Sequence, residues 1–158
     1  MNQRQLESSI FSLHDDDTGR IVGSGFYVGE QRLITCSEGI ENALTSTRTY
    51  LDQYVMVEFP MIAPKQKLAA KVVLWRPDEK LAGLELLEEP PAGVTAAWLM
   101  ETGDLSDHRV AGYGFSVSEE TEKGWASGLT QNQEENGRYY VKGIKGESGR
   151  IQEGHCGT

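Results

Sequence analysis

The chain has few of the features that mark secreted or membrane proteins. Only two of its 158 residues are cysteine, Cys36 and Cys156, whereas small secreted domains usually carry several disulfides. Residues 1–7 are polar and charged, without the apolar stretch of a secretory signal. No apolar run approaches the roughly 20 residues of a membrane helix. We therefore expect a cytoplasmic protein without membrane contact and with reduced thiols, a Cys36 to Cys156 disulfide being the alternative.

Positive charge is also scarce. The 15 Lys and Arg residues stand against 24 Asp and Glu residues, which gives a net charge of −9 at pH 7. Such a field repels DNA, RNA and anionic lipid. No cysteine or histidine spacing is typical of zinc, and the triplet Asp15-Asp16-Asp17 lacks the alternate spacing of a calcium loop. We expect no nucleic-acid partner, no metal and no cofactor.

Glycine is plentiful, with 18 residues, and it separates short segments of strand-like sequence. These segments recur at roughly 8 to 15 residue intervals, with one short helical turn predicted over Ser37–Leu44, and the pattern predicts an all-β fold, barrel or sandwich. Pro90 and Pro91 interrupt the pattern and predict a seam between the two halves 1–89 and 94–158. The predicted strands are Ser8–Leu13, Arg20–Val28, Arg32–Thr35, Tyr54–Phe59, Lys67–Trp75, Leu81–Leu87, Trp98–Met100, Arg109–Gly114, Trp125–Thr130 and Tyr139–Lys142.

Five aromatic residues admit two interpretations. They could form a recognition surface, or they could pack in the core and along the seam. Packing is the favoured interpretation, because aromatic side chains in strands usually stabilise a protein by burial. The five residues are Trp75, Trp98, Trp125, Tyr139 and Tyr140.

Three segments, taken in order, carry a resemblance to a known family. Residues 23–28 are Gly-Ser-Gly-Phe-Tyr-Val, and residues 33–40 follow as a strand that ends in Thr-Cys-Ser-Glu. Residues 80–86 alternate apolar positions after a lysine, and residues 151–158 end in Glu-Gly-His-Cys-Gly-Thr. Together they resemble the trypsin-like peptidase superfamily, most closely its bacterial cytoplasmic subset. The resemblance implies a double β-barrel, with an N-terminal barrel over 1–89 and a C-terminal barrel over 94–158.

The same resemblance implies that the catalytic triad is degenerate. The family's histidine position falls on Glu38 and its aspartate position on Lys80, so that neither the base nor the group that orients it is of the required type. Cys156 stands at the nucleophile position, where a thiol is chemically competent. The backbone amides of Gly154 and Cys156 correspond to the oxyanion hole. His14 and His108 match no catalytic position of the family.

Two structural expectations follow from this alignment of positions. Glu38 and Lys80 should lie close together and form an ion pair in place of the family's acid and imidazole. The chain ends at Thr158, where the family continues with the walls of the specificity pocket, so we expect either a fragment of a longer protein or an incomplete second barrel with exposed strand edges.

Two functions are compatible with this sequence. The favoured hypothesis is a non-catalytic module that binds a protein or peptide partner, by analogy in a bacterial signalling or defence assembly that includes CRISPR-linked proteolysis. The alternative is an endopeptidase with Cys156 as nucleophile, in which Glu38 or a histidine such as His155 assists the thiol. Oligomeric state, substrate and partner identity are not encoded in any motif.

Overall fold

The computed structural model describes residues 1–115, 124–135 and 137–143. Within these ranges, strands dominate and the all-β prediction is confirmed. None of the described helices is long and apolar enough to cross a membrane. The elements are α1 (Gln3–Ser9), β1 (Ile10–His14), β2 (Ile21–Gly29), β3 (Arg32–Thr35), α2 (Ser37–Ala43), β4 (Tyr54–Glu58), β5 (Lys67–Arg76), a 3₁₀ turn (Pro77–Glu79), β6 (Leu81–Leu86), β7 (Arg109–Gly114), β8 (Gly124–Gln133) and β9 (Tyr139–Gly143).

The first six strands close into a barrel in the order β1-β2-β3-β6-β5-β4. All neighbours are antiparallel, and β1 completes the ring by pairing with β4, Leu13 opposite Val57. Side chains alternate along the strands, so that every second residue enters the barrel. The largest fully buried apolar side chains of the barrel are Phe11, Leu13, Leu33, Ile40, Val55, Val57, Phe59, Val72, Leu84 and Leu86.

The helix α2 covers one end of this barrel. Glu38 lies in its first turn, where an acidic side chain complements the helix dipole. Ile40 and Ala43 are buried, while Glu38 and Glu41 are exposed, which is the pattern of an amphipathic helix lying on a core. The helical turn predicted after the third strand is therefore present.

The second half contains a three-stranded antiparallel sheet in the order β7-β8-β9. Arg109 pairs with Leu129 in the first ladder, and Thr130 pairs with Val141 in the second. The expectation of an incomplete second barrel concerns residues beyond this sheet, and it stays a prediction.

Two sequence-based assignments are wrong. Ser8 and Ser9 belong to the helix α1 and not to the first strand, because the Asn2 side chain and Gln5 cap each other's backbone amides and begin a helix there. Residues 98–100 are not a strand; Trp98, Leu99 and Met100 are 69%, 62% and 77% exposed in the connection between the two sheets. An uninterrupted apolar triplet resembles a buried strand in sequence, but no neighbouring strand pairs with it here.

Packing of the five aromatic residues is only partly as expected. Trp75 stacks on Tyr50 with ring centroids 4.5 Å apart, and Trp125 meets Tyr113 at 5.5 Å. Trp98 and Tyr140 are instead mostly exposed, at 69% and 66%. The interpretation as packing residues is therefore wrong for these two.

Candidate functional site

The residues predicted at the family's histidine and aspartate positions, Glu38 and Lys80, lie on segments that meet at one end of the barrel. Strands β3 and β6 are paired, with Thr35 opposite Ala82. Glu38 follows β3 by three residues, and Lys80 precedes β6 by one. The Ser37 amide donates to the Lys80 carbonyl at 3.3 Å, so the start of α2 is joined directly to the turn before β6.

The turn that carries Lys80 has an unusual backbone. Lys80 ends the 3₁₀ turn in the left-handed conformation, with φ of 55° and ψ of 35°. Its own amide donates to the Pro77 carbonyl at 2.9 Å, and Arg76 forms an ion pair with Glu79 at 2.9 Å across the same turn. The side chain of Lys80 is exposed. The predicted aspartate position therefore carries a basic residue that is exposed to solvent.

The predicted ion pair between Glu38 and Lys80 is wrong. Neither residue takes part in any of the ion pairs within 4.0 Å that are formed between described residues. Both side chains are exposed, and in solvent an ion pair is worth about 0–1 kcal/mol, which barely offsets the entropy of holding two long side chains. The backbone brings the two residues together, and their side chains stay apart.

The residues predicted at the nucleophile position and in the oxyanion hole are not among those that the structure describes. Gly154, His155 and Cys156 lie outside the described residues. Cys36, the cysteine that the described ranges contain, lies just before α2, is 7% exposed and is not a free thiol. The expectation of two reduced thiols is therefore not supported at Cys36.

The second sheet reaches the same end of the barrel. The guanidinium of Arg138, just before β9, donates to the carbonyl of Asp78 in the 3₁₀ turn at 3.4 Å. Because Asp78 lies two residues before Lys80, this bond places the loop between β8 and β9 beside the residue predicted at the family's aspartate position.

Sequence analysis missed a buried polar cluster elsewhere in the barrel. Ser12 Oγ lies 2.9 Å from Nε2 of His14, and a Glu58 carboxylate oxygen lies 3.7 Å from the same nitrogen. The other ring nitrogen, Nδ1, lies 3.1 Å from the Gly19 carbonyl. A carbonyl can only accept, so Nδ1 donates to Gly19, while the Ser12 hydroxyl contacts Nε2 and also donates to the Glu58 carbonyl at 3.4 Å. Two alternating polar residues in the apolar strand β1 were the available signal.

This cluster has the residue types of a triad but not its geometry. In a working triad the acid contacts Nδ1 and the nucleophile contacts Nε2. Here the carboxylate and the hydroxyl both face Nε2, and Ser12 is fully buried, so no substrate reaches it. The cluster instead joins the turn before β2 to strand β4 through hydrogen bonds.

We expect Ser12→Ala to lower the free energy of unfolding by about 1–3 kcal/mol, because Nε2 of the buried His14 loses its hydrogen-bond partner. Urea denaturation measures the effect. Ser46→Ala removes an exposed hydroxyl from a turn and serves as the control, with a change within about 0.5 kcal/mol. Equal midpoints for the two variants would contradict a stabilising role for the cluster.

The fold agrees with solved proteases. Deg5 matches 98% of this chain and 74% of its own, with a TM-score of 0.64 and 16% identity. The active form of the Rv3671c protease from M. tuberculosis matches at a TM-score of 0.59 and 15% identity, and a serine endoprotease from Yersinia pestis at 0.64 and 12%. The chain has the trypsin-like protease fold. This confirms the double-barrel class that the resemblance implied.

These similarities concern the fold. No protein-family model matches the sequence, and no curated protein matches it significantly. The chain covers 96% of its own length but 64% of the Rv3671c active form, and 98% but 49% of the Yersinia pestis endoprotease. It spans 52% to 64% of the three Rv3671c structures that it matches.

Proposed function

We propose that this chain is a catalytically degenerate domain of the trypsin-like protease fold that binds a protein or peptide partner. One observation carries the proposal: the residues at the histidine and aspartate positions are Glu38 and Lys80, both exposed and not paired with each other. The fold is retained while the groups that activate its nucleophile are replaced.

The chemistry supports this proposal. Peptide hydrolysis on this fold needs a base that takes the proton of the nucleophile and later returns it to the leaving amine. A solvent-exposed carboxylate is too weak a base to deprotonate a hydroxyl nucleophile. The family's aspartate orients its histidine by accepting a hydrogen bond, and an ammonium group, which only donates, cannot do this. Lys80 therefore does not replace the aspartate in function.

The regulatory setting rests on analogy. A protease fold without a working triad keeps a surface shaped to hold an extended peptide, and this surface suits a module that recruits another protein. We propose a bacterial signalling or defence assembly, including those with CRISPR-linked proteolysis, as its setting.

An active endopeptidase is the second candidate, favoured by the cysteine at the predicted nucleophile position, which would act as a reduced thiol. Cysteine is intrinsically more nucleophilic than serine and needs less help from a base. In this mechanism Cys156 attacks the scissile carbonyl, the amides of Gly154 and Cys156 stabilise the oxyanion, and Glu38 or a histidine assists weakly.

The reactivity of Cys156 distinguishes the two candidates. After reduction, and in a Cys36→Ser background, we expect Cys156 to be alkylated with the pH dependence of an ordinary thiol. The alkylation rate should reach half of its maximum at a pH of about 8.5. An unstructured protein substrate should show no cleavage above the buffer rate. Both are measured by mass spectrometry across pH 5 to about 9.

Cys156→Ala is the matched control for both readouts. Cleavage that is present in the Cys36→Ser chain and absent from the chain that also carries Cys156→Ala would overturn the proposal. A thiol that titrates well below about 8.5 and is protected by added peptide would establish the endopeptidase.

A further inference from the structure

An apolar groove separates the first barrel from the second sheet, and neither Glu38 nor Lys80 is among the residues that line it. Its volume is about 210 Å³, and it is open to solvent on one side. The helix α1, the strand β2, the connection 97–99 and the strands β7 and β8 all contribute to its walls. The side chains that define it are Leu6, Ile10, Phe26, Trp98, Tyr113 and Trp125.

Three of these aromatic rings give the groove its chemistry. Tyr113 and Trp125 meet edge to face, with centroids 5.5 Å apart and planes inclined at 78°. Trp98 is 69% exposed, so it is available to a ligand in the groove. Aromatic faces at steep angles to one another attract cations through their quadrupoles, and tryptophan does so most strongly.

A carboxylate lies at the edge of the same groove. Glu7 Oε1 accepts from Nε1 of Trp125 at 2.9 Å and from the Gln3 amide at 2.9 Å. The bond from Trp125, followed by the bond from Gln3, lowers the pKa of the Glu7 carboxyl, which therefore stays ionised at neutral pH. Both donors are neutral, the nearby charge of Arg4 also lowers the pKa of Glu7, and Glu7 forms no ion pair within 4.0 Å among the described residues.

We propose that this groove binds a peptide segment of a partner protein that presents a lysine or arginine side chain flanked by apolar residues. The cationic group would lie between the aromatic faces and the Glu7 carboxylate, and the net charge of −9 attracts such a partner. The apolar surface continues past the groove onto Leu99 and Met100, which are 62% and 77% exposed. A surface of this length suits a peptide better than an isolated small cation.

The test uses acetyl-Leu-Lys-Leu-amide and its norleucine counterpart, which has the same length but no charge. Binding is followed by NMR at the indole NH groups of the reduced full-length chain. We expect the signals of Trp98 and Trp125 to shift, while that of Trp75, which packs on Tyr50 in the barrel, stays fixed. The lysine peptide should bind about three- to five-fold more tightly than the norleucine peptide.

Two variants address the two halves of the proposed site. Trp98→Ala removes an aromatic face, and Glu7→Gln removes the charge while keeping an acceptor for Trp125. Each variant should weaken binding of the lysine peptide by about three- to five-fold. Glu7→Gln should weaken binding of the norleucine peptide less than it weakens binding of the lysine peptide. Tyr140→Ala and Glu41→Gln are the matched controls, an exposed aromatic and an exposed acid on other surfaces.

Three outcomes would overturn the proposal. One is equal affinity for the lysine and norleucine peptides, and another is an equal effect of Trp98→Ala and Tyr140→Ala. The third is the absence of any shift at Trp98 and Trp125 with peptide at about 5 mM, where even weak binding is detected. The result is independent of the reactivity of Cys156, so failure here and failure of the proposed function are distinguishable.

Discussion

Replacing Gly25 with alanine is expected to lower the free energy of unfolding by about 3 kcal/mol or more, at or above the upper end of the usual cost of overpacking a core. A Cβ at this position would lie 2.1 Å from the carbonyl oxygen of Ile34 and 2.6 Å from ring carbons of Phe11. The carbonyl belongs to the backbone of β3, which pairs with β2 on one side and β6 on the other. It cannot retreat without weakening hydrogen bonds of the barrel.

Urea denaturation, extrapolated to zero denaturant, measures this change. Gly103→Ala is the matched control, because nothing lies within 4 Å of the position that its Cβ would occupy, and we expect a change within about 0.5 kcal/mol. Gly83→Ala should fall between the two, since its Cβ would lie 2.9 Å from the Cβ of Leu74, an overlap that is smaller than at Gly25 but that no rotamer change relieves. Similar stabilities for the Gly25 and Gly103 variants would show that the barrel is packed less tightly here than the structure indicates.

The second large effect is expected from Phe59→Ala, at about 3–5 kcal/mol of unfolding free energy. Phe59 is fully buried just beyond β4, and its ring meets Phe11 at 6.4 Å and Tyr27 at 6.3 Å in edge-to-face contacts. Truncation removes its own burial and leaves a cavity beside Phe11 of β1 and Tyr27 of β2. A loss of this size is a large share of the roughly 5–15 kcal/mol that stabilises a typical domain.

Thermal and urea unfolding both report this loss. Phe59→Leu refills part of the cavity and should cost less than the alanine variant. Tyr54 lies in β4, the strand that Phe59 follows, and is 53% exposed. Tyr54→Ala is therefore the control for removing an aromatic ring without emptying the core. If Phe59→Ala were no more destabilising than Tyr54→Ala, Phe59 would not be a central contact of the barrel.

The agreement between sequence and structure is best where the signal is local. The predicted strand Tyr54–Phe59 alternates polar and apolar residues and corresponds to β4, and Arg32–Thr35 corresponds to β3 residue for residue. Period-two alternation works here because one face of each strand enters the barrel. The helix α1 was missed although Asn2 and Gln5 form a capping box, which sequence alone displays.

The candidate site shows the same division. The order of motifs in the chain predicts Glu38 and Lys80 at the histidine and aspartate positions, and the structure joins the two segments through the hydrogen bond between Ser37 and Lys80. The absence of an ion pair between Glu38 and Lys80 did not follow from the sequence, because it depends on how far each side chain extends into solvent. Cys156 lies outside the described residues, and its role stays a prediction.

By itself, the sequence determined that the chain is all-β and that it is acidic, and the resemblance that it carries predicts Glu38 and Lys80 at the positions of the activating groups. These properties depend on residue type and on short-range periodicity, and both can be read from the sequence without knowing which distant residues meet. Only the tertiary structure decided that Trp98 is exposed, that Ser12, His14 and Glu58 share a buried cluster, and that Glu7 meets Trp125 beside an apolar groove. Each of these depends on surfaces far apart in the chain, Glu7 and Trp125 being 118 residues apart, and long-range packing decides which of them meet.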